Sequence, residues 1–220
     1  MNSVDLRLYA LLDPETAGRY DLPRLAGLIA PATTLVQLRD KRSGTREMIA
    51  RGRALRDALA PKGIPLLIND RVDVALACGA QGVHVGWDDM EPVDARRLLG
   101  AKAIIGLSIK SVKQAQAAPL DQLDYVAIGG VFTTTSKDNP DPPVGLEGLR
   151  TILAAVRARA PRMPVAAIAG IDARNAGEVI AAGADGISVI SALSGAADPA
   201  AAAGNLRGIV DAALAKRGGR

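Results

Sequence analysis

Short apolar runs rich in Val, Ile and Leu alternate along this chain with longer segments whose apolar residues recur every three or four positions. The first kind suits strands buried on both faces, and the second suits helices that cover them. The pattern predicts eight strands, at residues 6–12, 33–38, 64–68, 82–85, 103–107, 125–129, 165–169 and 186–190. Helices are predicted between and after them, at 22–30, 45–60, 72–78, 92–99, 112–117, 146–160, 173–182 and 200–215. Residues 74–86 resemble residues 178–190, and both read as a helix, a terminating glycine and a strand. Gly79 and Gly183 fit the left-handed position that ends a helix, while the small Gly82 and Gly186 let the next strand begin close by.

Eight such units predict one α/β domain spanning residues 1–220, a compact (β/α)8 TIM barrel with its chemistry at the C-terminal ends of the strands. That rule sorts the polar residues. Cys78, Gln81 and Asp185 precede strands and are expected to be structural. The lone His84 lies inside the fourth strand, where a packed, hydrogen-bonded ring is the default expectation.

Composition narrows the picture. Hydrophobic residues make up 49% of the 220 residues but aromatics only 2%, so the core must be aliphatic and no stacking platform for single-stranded nucleic acid is expected. No long apolar run suggests a membrane span, and the single cysteine cannot form an internal disulfide, so a reducing cytoplasmic setting is expected. The net charge of +4 is spread over helical segments, and a mildly positive field would draw in phosphorylated substrates. One His and one Cys leave no hydrolytic triad and no His/Cys zinc site, and no glycine-rich nucleotide signature opens a helix.

Period-two alternation in the second strand places Gln37, Arg39 and Lys41 on the face of Leu35, pointing into the barrel's upper rim. A guanidinium there needs an anionic ligand or an internal partner, for which Asp40 and Asp70 are candidates. Asn69 and Asp70 end the third strand, and Asp88 and Asp89 follow the fourth on a neighbouring loop. Two carboxylates plus a phosphate suit Mg²⁺, while helix capping is the competing account of Asp70. Ser108 is expected either to cap the next helix or to donate to an oxyanion. The loops after strands seven and eight, with Gly170 and Ser191, are places where barrels commonly hold a phosphate through backbone N–H groups. The stretch 128–137 runs from an apolar strand into hydroxyls and a lysine, a dense set of donors on a long loop.

Taken together, Gln37-Leu-Arg-Asp-Lys41, Ile68-Asn-Asp-Arg71, Gly82-Val-His-Val-Gly86 with Asp89, Ile105-Gly-Leu-Ser108, Thr134-Thr-Ser-Lys137, Gly145-Leu and 182–191 resemble, in order, the motifs of the thiamine phosphate synthase family. The resemblance covers nearly the whole chain. It implies transfer of a hydroxymethylpyrimidine unit from its diphosphate to a thiazole phosphate, giving thiamine phosphate and pyrophosphate. Gln37, Arg39, Lys41, Asn69, Ser108 and Lys137 would hold the pyrimidine diphosphate, with Arg39, Lys41, Ser108 and Lys137 in the catalytic set. Asp70 and Asp89 would carry Mg²⁺, and Thr134, Ser136, Gly170, Ile190 and Ser191 would bind the thiazole phosphate. A thiazole tautomerase of the same superfamily and a non-catalytic sensor of thiamine intermediates are the alternatives, and a homodimer is allowed. The chain departs from the family pattern at Thr133 where a proline is usual, at Ser136 where one hydroxyl residue replaces another, at Ala169 where a Gly-Gly pair is usual, and at Trp87 in place of a polar residue. Residues 133–143 are a candidate lid.

Overall fold

Alternating strands and helices close the chain on itself in a computed structural model that describes residues 4–134 and 142–218. The strands are β1 (Leu8–Leu12), β2 (Leu35–Leu38), β3 (Leu66–Asn69), β4 (Gly82–Val85), β5 (Ile104–Ile109), β6 (Tyr125–Ile128), β7 (Val165–Ile168) and β8 (Gly186–Val189). All pair in parallel, each with its sequence neighbour, and β8 pairs with β1 to complete a closed barrel. The helices are α1 (Leu22–Ile29), α2 (Thr45–Leu59), α3 (Val72–Cys78), α4 (Pro92–Leu99), α5 (Val112–Ala117), α6 (Gly145–Arg159), α7 (Ala176–Ala181), α8 (Ser191–Ser194) and α9 (Pro199–Gly218).

Alternation along each strand builds two apolar layers. Val36, Leu38, Ile68, Val83, Val85, Ile105, Ile187 and Val189 face outward and pack with the helices. Tyr9, Leu11, Leu35, Leu67, Ile104, Tyr125, Ala127, Ala166 and Ile168 fill the barrel interior. The near-absence of aromatics is thus concentrated rather than uniform, since two of the three tyrosines stand in the centre of the barrel. Gly82 and Gly186 are needed for close approach, because a Cβ at Gly82 would lie 1.9 Å from the Ile104 carbonyl oxygen and one at Gly186 1.7 Å from that of Leu6, on the neighbouring strand segments.

Several boundaries differ from expectation by two or three residues, and one short helix is added. Helix α7 begins at Ala176 instead of residue 173, because Asp172 to Asn175 form a hydrogen-bonded turn in which Asp172 N donates to Asn175 Oδ1 at 2.9 Å. Strand β5 runs two residues beyond its predicted end, to Ile109, and so takes Ser108 into the sheet. The short helix α8 was not anticipated. On the far face, Gln81 accepts from Leu66 N, and Asp185 accepts from Val165 N and pairs with Arg157 and Arg217, the structural roles expected of them. Among the described residues, no helix is long and apolar enough to cross a membrane.

Candidate active site

The C-terminal ends of β1 to β5 carry an interlocked set of charges. The alternation that turns Tyr9 and Leu11 inward continues to Asp13, whose carboxylate is 2% exposed and accepts from the Arg39 guanidinium. Arg39 therefore has an internal partner, but it is neither Asp40 nor Asp70. Asp40 lies on the opposite side of the backbone, where it accepts from Arg51 at 2.5 Å and from Ser43 N at 3.0 Å. Asp70 instead pairs with Lys41. Gln37 is buried, and its amide nitrogen donates to the Tyr9 hydroxyl. Asn69, the last residue of β3, is level with His84 on β4.

Capping does not account for Asp70. Arg71 is the residue that opens α3, and no side chain caps that helix. Asp70 itself has φ of +63°, a left-handed conformation uncommon for a side-chain-bearing residue, which turns its carboxylate back over the barrel mouth. Burial, and then the adjacent Asp89 carboxyl, push the Asp70 carboxyl above its ordinary value, while Lys41 pulls it down. Asp89 is held in place by the turn after β4, accepting from Gly86 N at 2.7 Å. Two carboxylates brought together against their mutual repulsion are a natural hard-cation site. The described residues contain no group of three or more His, Cys, Asp or Glu suited to a metal, so other ligands would have to come from substrate or water.

Ser108 is also not a cap. Ser111 caps α5, accepting from Gln114 N at 3.1 Å. Ser108 Oγ lies 2.8 Å from His84 Nε2, and His84 Nδ1 lies 2.7 Å from the Tyr125 hydroxyl, itself 2.9 Å from that of Tyr9. His84 also stacks on the Tyr125 ring, with centroids 5.5 Å apart. The packed, hydrogen-bonded histidine expected from sequence is found, together with partners that were not.

The other half of the rim is made of backbone. A cavity of about 380 Å³ lies beyond β7 and β8, lined by Thr134, Gly170, Ser188, Ile190 and Ser191 among others. Four of the residues predicted for a phosphate are thus brought to one cavity. Gly170 has φ of +64°, and a Cβ there would sit 2.4 Å from the Thr133 carbonyl oxygen, so no other residue fits without displacement. Ala169, the departure noted above, does adopt the left-handed region at φ +94° and is strained there by about 1–3 kcal/mol. Its carbonyl accepts from Phe132 N at 3.1 Å, tying the β6–α6 connection to the end of β7. Ser188 Oγ is buried without a hydrogen-bond partner among the described residues.

Ser136 and Lys137 lie outside the described residues, as does most of the candidate lid. Trp87 is 41% exposed and lines a second cavity of about 540 Å³ with Lys110, Lys113, Gly129, Gly130 and Pro142. Sequence reasoning missed Asp13, Tyr9, Tyr125 and Lys110. The alternation argument made for β2 finds all four when applied to β1, β5 and β6.

Comparison with known proteins agrees with this geometry. Residues 8–193 match the family described as thiamine monophosphate synthase. The chain is 54% identical over 218 residues to the thiamine-phosphate synthase of Agrobacterium fabrum, covering 99% of each, and 47% identical over 208 residues to that of Albidiferax ferrireducens, covering 94% and 93%. A solved structure, the thiamine phosphate pyrophosphorylase from Pyrococcus furiosus, superposes with a TM-score of 0.82 at 36% identity, over 96% of this chain and 98% of that one. With a family match over residues 8–193 and a relative 54% identical across 99% of each chain, this chain belongs to the thiamine monophosphate synthase family.

Proposed function

We propose that the protein is a transferase that condenses hydroxymethylpyrimidine diphosphate with thiazole phosphate, giving thiamine phosphate and pyrophosphate. The observation that carries this reading is the cluster of Lys41, Asp70 and Asp89, with Asp70 held in a left-handed backbone conformation beside a second carboxylate. Such a cluster has no evident use in an isomerase that handles a single monophosphate, or in a sensor, whereas a diphosphate leaving group needs both cations and a metal.

In this reading Gln37, Arg39, Lys41, Asn69, Ser108 and Lys137 would hold the pyrimidine diphosphate, and Asp70 and Asp89 would hold Mg²⁺. Both residues offer hard oxygen donors, which fits that ion. When bound, Mg²⁺ would neutralise charge on the departing diphosphate. Arg39 is fixed for this task by Asp13, and Lys41 would exchange its pairing with Asp70 for a phosphate oxygen. The bond between carbon and diphosphate oxygen breaks first, leaving a resonance-stabilised pyrimidine cation that the thiazole nitrogen captures. That path calls for leaving-group stabilisation and alignment of two substrates, not for a protein nucleophile. Thr134, Ser136, Gly170, Ile190 and Ser191 position the thiazole phosphate, partly through backbone N–H groups.

The enzyme is proposed to work as one domain in the cytoplasm. A homodimer is compatible with the exposed Leu76, Val93 and Leu98 on α3 and α4, and sedimentation velocity would decide it. The central test is incubation with both phosphorylated halves and Mg²⁺. Thiamine phosphate and pyrophosphate appearing together support the synthase. Interconversion of thiazole isomers alone would favour a tautomerase, and binding without turnover a sensor.

A further inference from the structure

A line of side chains crosses the barrel interior from β2 to β5: Gln37, Tyr9, Tyr125, His84 and Ser108, each in hydrogen-bond contact with the next. Every member except Ser108 is buried, with Tyr9 at 1% and Tyr125 at 0% exposure. Burial raises the proton affinity of both phenols well above ordinary tyrosine, so each keeps its single hydrogen. A chain of this kind has only two self-consistent polarities, because each hydroxyl has one hydrogen to give and a neutral imidazole has one N–H.

Gln37 selects between them. Its amide nitrogen is the atom in contact with Tyr9, so Tyr9 receives a hydrogen bond there and gives its own hydrogen to Tyr125. Tyr125 must then donate to His84 Nδ1, and the ring hydrogen resides on Nε2, facing Ser108. The other end of the line requires the same direction. A diphosphate oxygen only accepts hydrogen bonds, so a Ser108 that binds one must keep its hydrogen, and it keeps it only if His84 donates to Ser108. The reverse polarity would have Ser108 give its hydrogen to the imidazole and turn a lone pair toward an anion.

We propose that His84 is a positioning residue for the transfer: fixed as the Nε2–H tautomer by the Gln37–Tyr9–Tyr125 line, it donates to Ser108 and thereby makes the Ser108 hydroxyl a donor to the leaving diphosphate. Gly106 is part of the device. A Cβ there would fall 2.1 Å from Tyr125 Cζ, so only glycine lets the tyrosine ring reach across to the imidazole. The Gln37 carbonyl oxygen, buried and without a partner among the described residues, is left as an acceptor for an N–H on the bound substrate.

This inference rests on the assignment of Ser108 to the diphosphate, but its test does not. His84 is the sole histidine of the chain, so protein labelled with nitrogen-15 histidine gives one imidazole to observe by long-range proton–nitrogen correlation. In the ligand-free, full-length protein the ring should carry its hydrogen on Nε2 and leave Nδ1 bare. A hydrogen on Nδ1, or on both nitrogens near neutral pH, overturns the proposal. Tyr125→Phe should let the two tautomers mix, and an unchanged spectrum in that variant would also overturn it. In turnover, His84→Gln, which can still present an N–H toward Ser108, should keep kcat about tenfold above His84→Leu at similar KM and similar thermal midpoint. Equal losses in the two variants would mean that His84 only fills space. If the tautomer is as stated but Mg²⁺-pyrophosphate binds Ser108→Ala as tightly as the parent, the relay stands and the assignment of Ser108 fails.

Discussion

The two halves of the barrel mouth are built by opposite means. From β1 to β5 the site is made of side chains that satisfy one another: Arg39 with Asp13, Lys41 with Asp70, Ser108 with His84. From β6 to β8 it is made mainly of backbone geometry, with Ala169 and Gly170 both at positive φ and a cavity whose lining carries the exposed pair Asp172–Arg174 at 2.6 Å in place of buried ones. The contrast follows from the ligands proposed for them. A departing diphosphate needs cations and a metal that are held ready and neutralised until it arrives. An acceptor that is only held needs a mould, and left-handed backbone at the end of a strand makes one.

The two halves should fail differently when altered. The largest effect is expected from Asp13→Ala, which strands the largely buried Arg39 guanidinium. Stability should fall by about 3–5 kcal/mol, read by denaturant unfolding, and affinity for Mg²⁺-pyrophosphate should fall with it. Retained stability would mean that Arg39 finds another partner or reaches water.

Asp70→Asn should lower turnover by at least about a hundredfold. Folding should not suffer, because asparagine accepts positive φ well and the substitution removes the repulsion with Asp89. Normal Mg²⁺-dependent turnover in this variant would sink the metal assignment. The raised Asp70 carboxyl also fixes a sign: its folded value lies above its unfolded one, so this group favours the folded state increasingly as pH falls through that window and opposes it above. Asp70→Asn should flatten that part of the pH–stability profile.

On the other side, Gly170→Ala should cost about 1–3 kcal/mol through its φ and its contact with Thr133, and should weaken the thiazole phosphate without touching pyrophosphate. The smallest change should be a gain. Ala169→Gly removes strain and is expected to stabilise by up to about 1 kcal/mol, raising the thermal midpoint by a few degrees, with acceptor affinity retained. A loss of stability would mean that the Ala169 methyl contributes more by packing than its backbone costs.

Most of the scaffold was legible in the sequence because a parallel barrel repeats one local solution. Val72–Cys78, Pro92–Leu99 and Val112–Ala117 fall where the pattern places them, since the periodicity is bounded there by Gly79 at the end of α3, Pro92 at the start of α4 and the Ser111 cap of α5. The inward set Gln37, Arg39 and Lys41 was legible because alternation alone determines it. What was hidden depends on contacts between strands that are distant in sequence. Asp13 as the partner of Arg39 requires knowing that β1 and β2 are in register from Tyr9 and Leu35 onward. The role of Asp70 requires a positive φ that nothing in Asn-Asp-Arg announces, and Ser108 could pass for a cap until β5 proved to run on to Ile109.

The division of labour is tested most directly by titration calorimetry of two ligands, Mg²⁺-pyrophosphate and thiazole phosphate, against the parent protein, Asp70→Asn and Gly170→Ala. Asp70→Asn should lose pyrophosphate and keep thiazole phosphate, and Gly170→Ala should do the reverse. If each variant loses both ligands in proportion, the mouth of the barrel is a single site and the account given of its two halves is wrong.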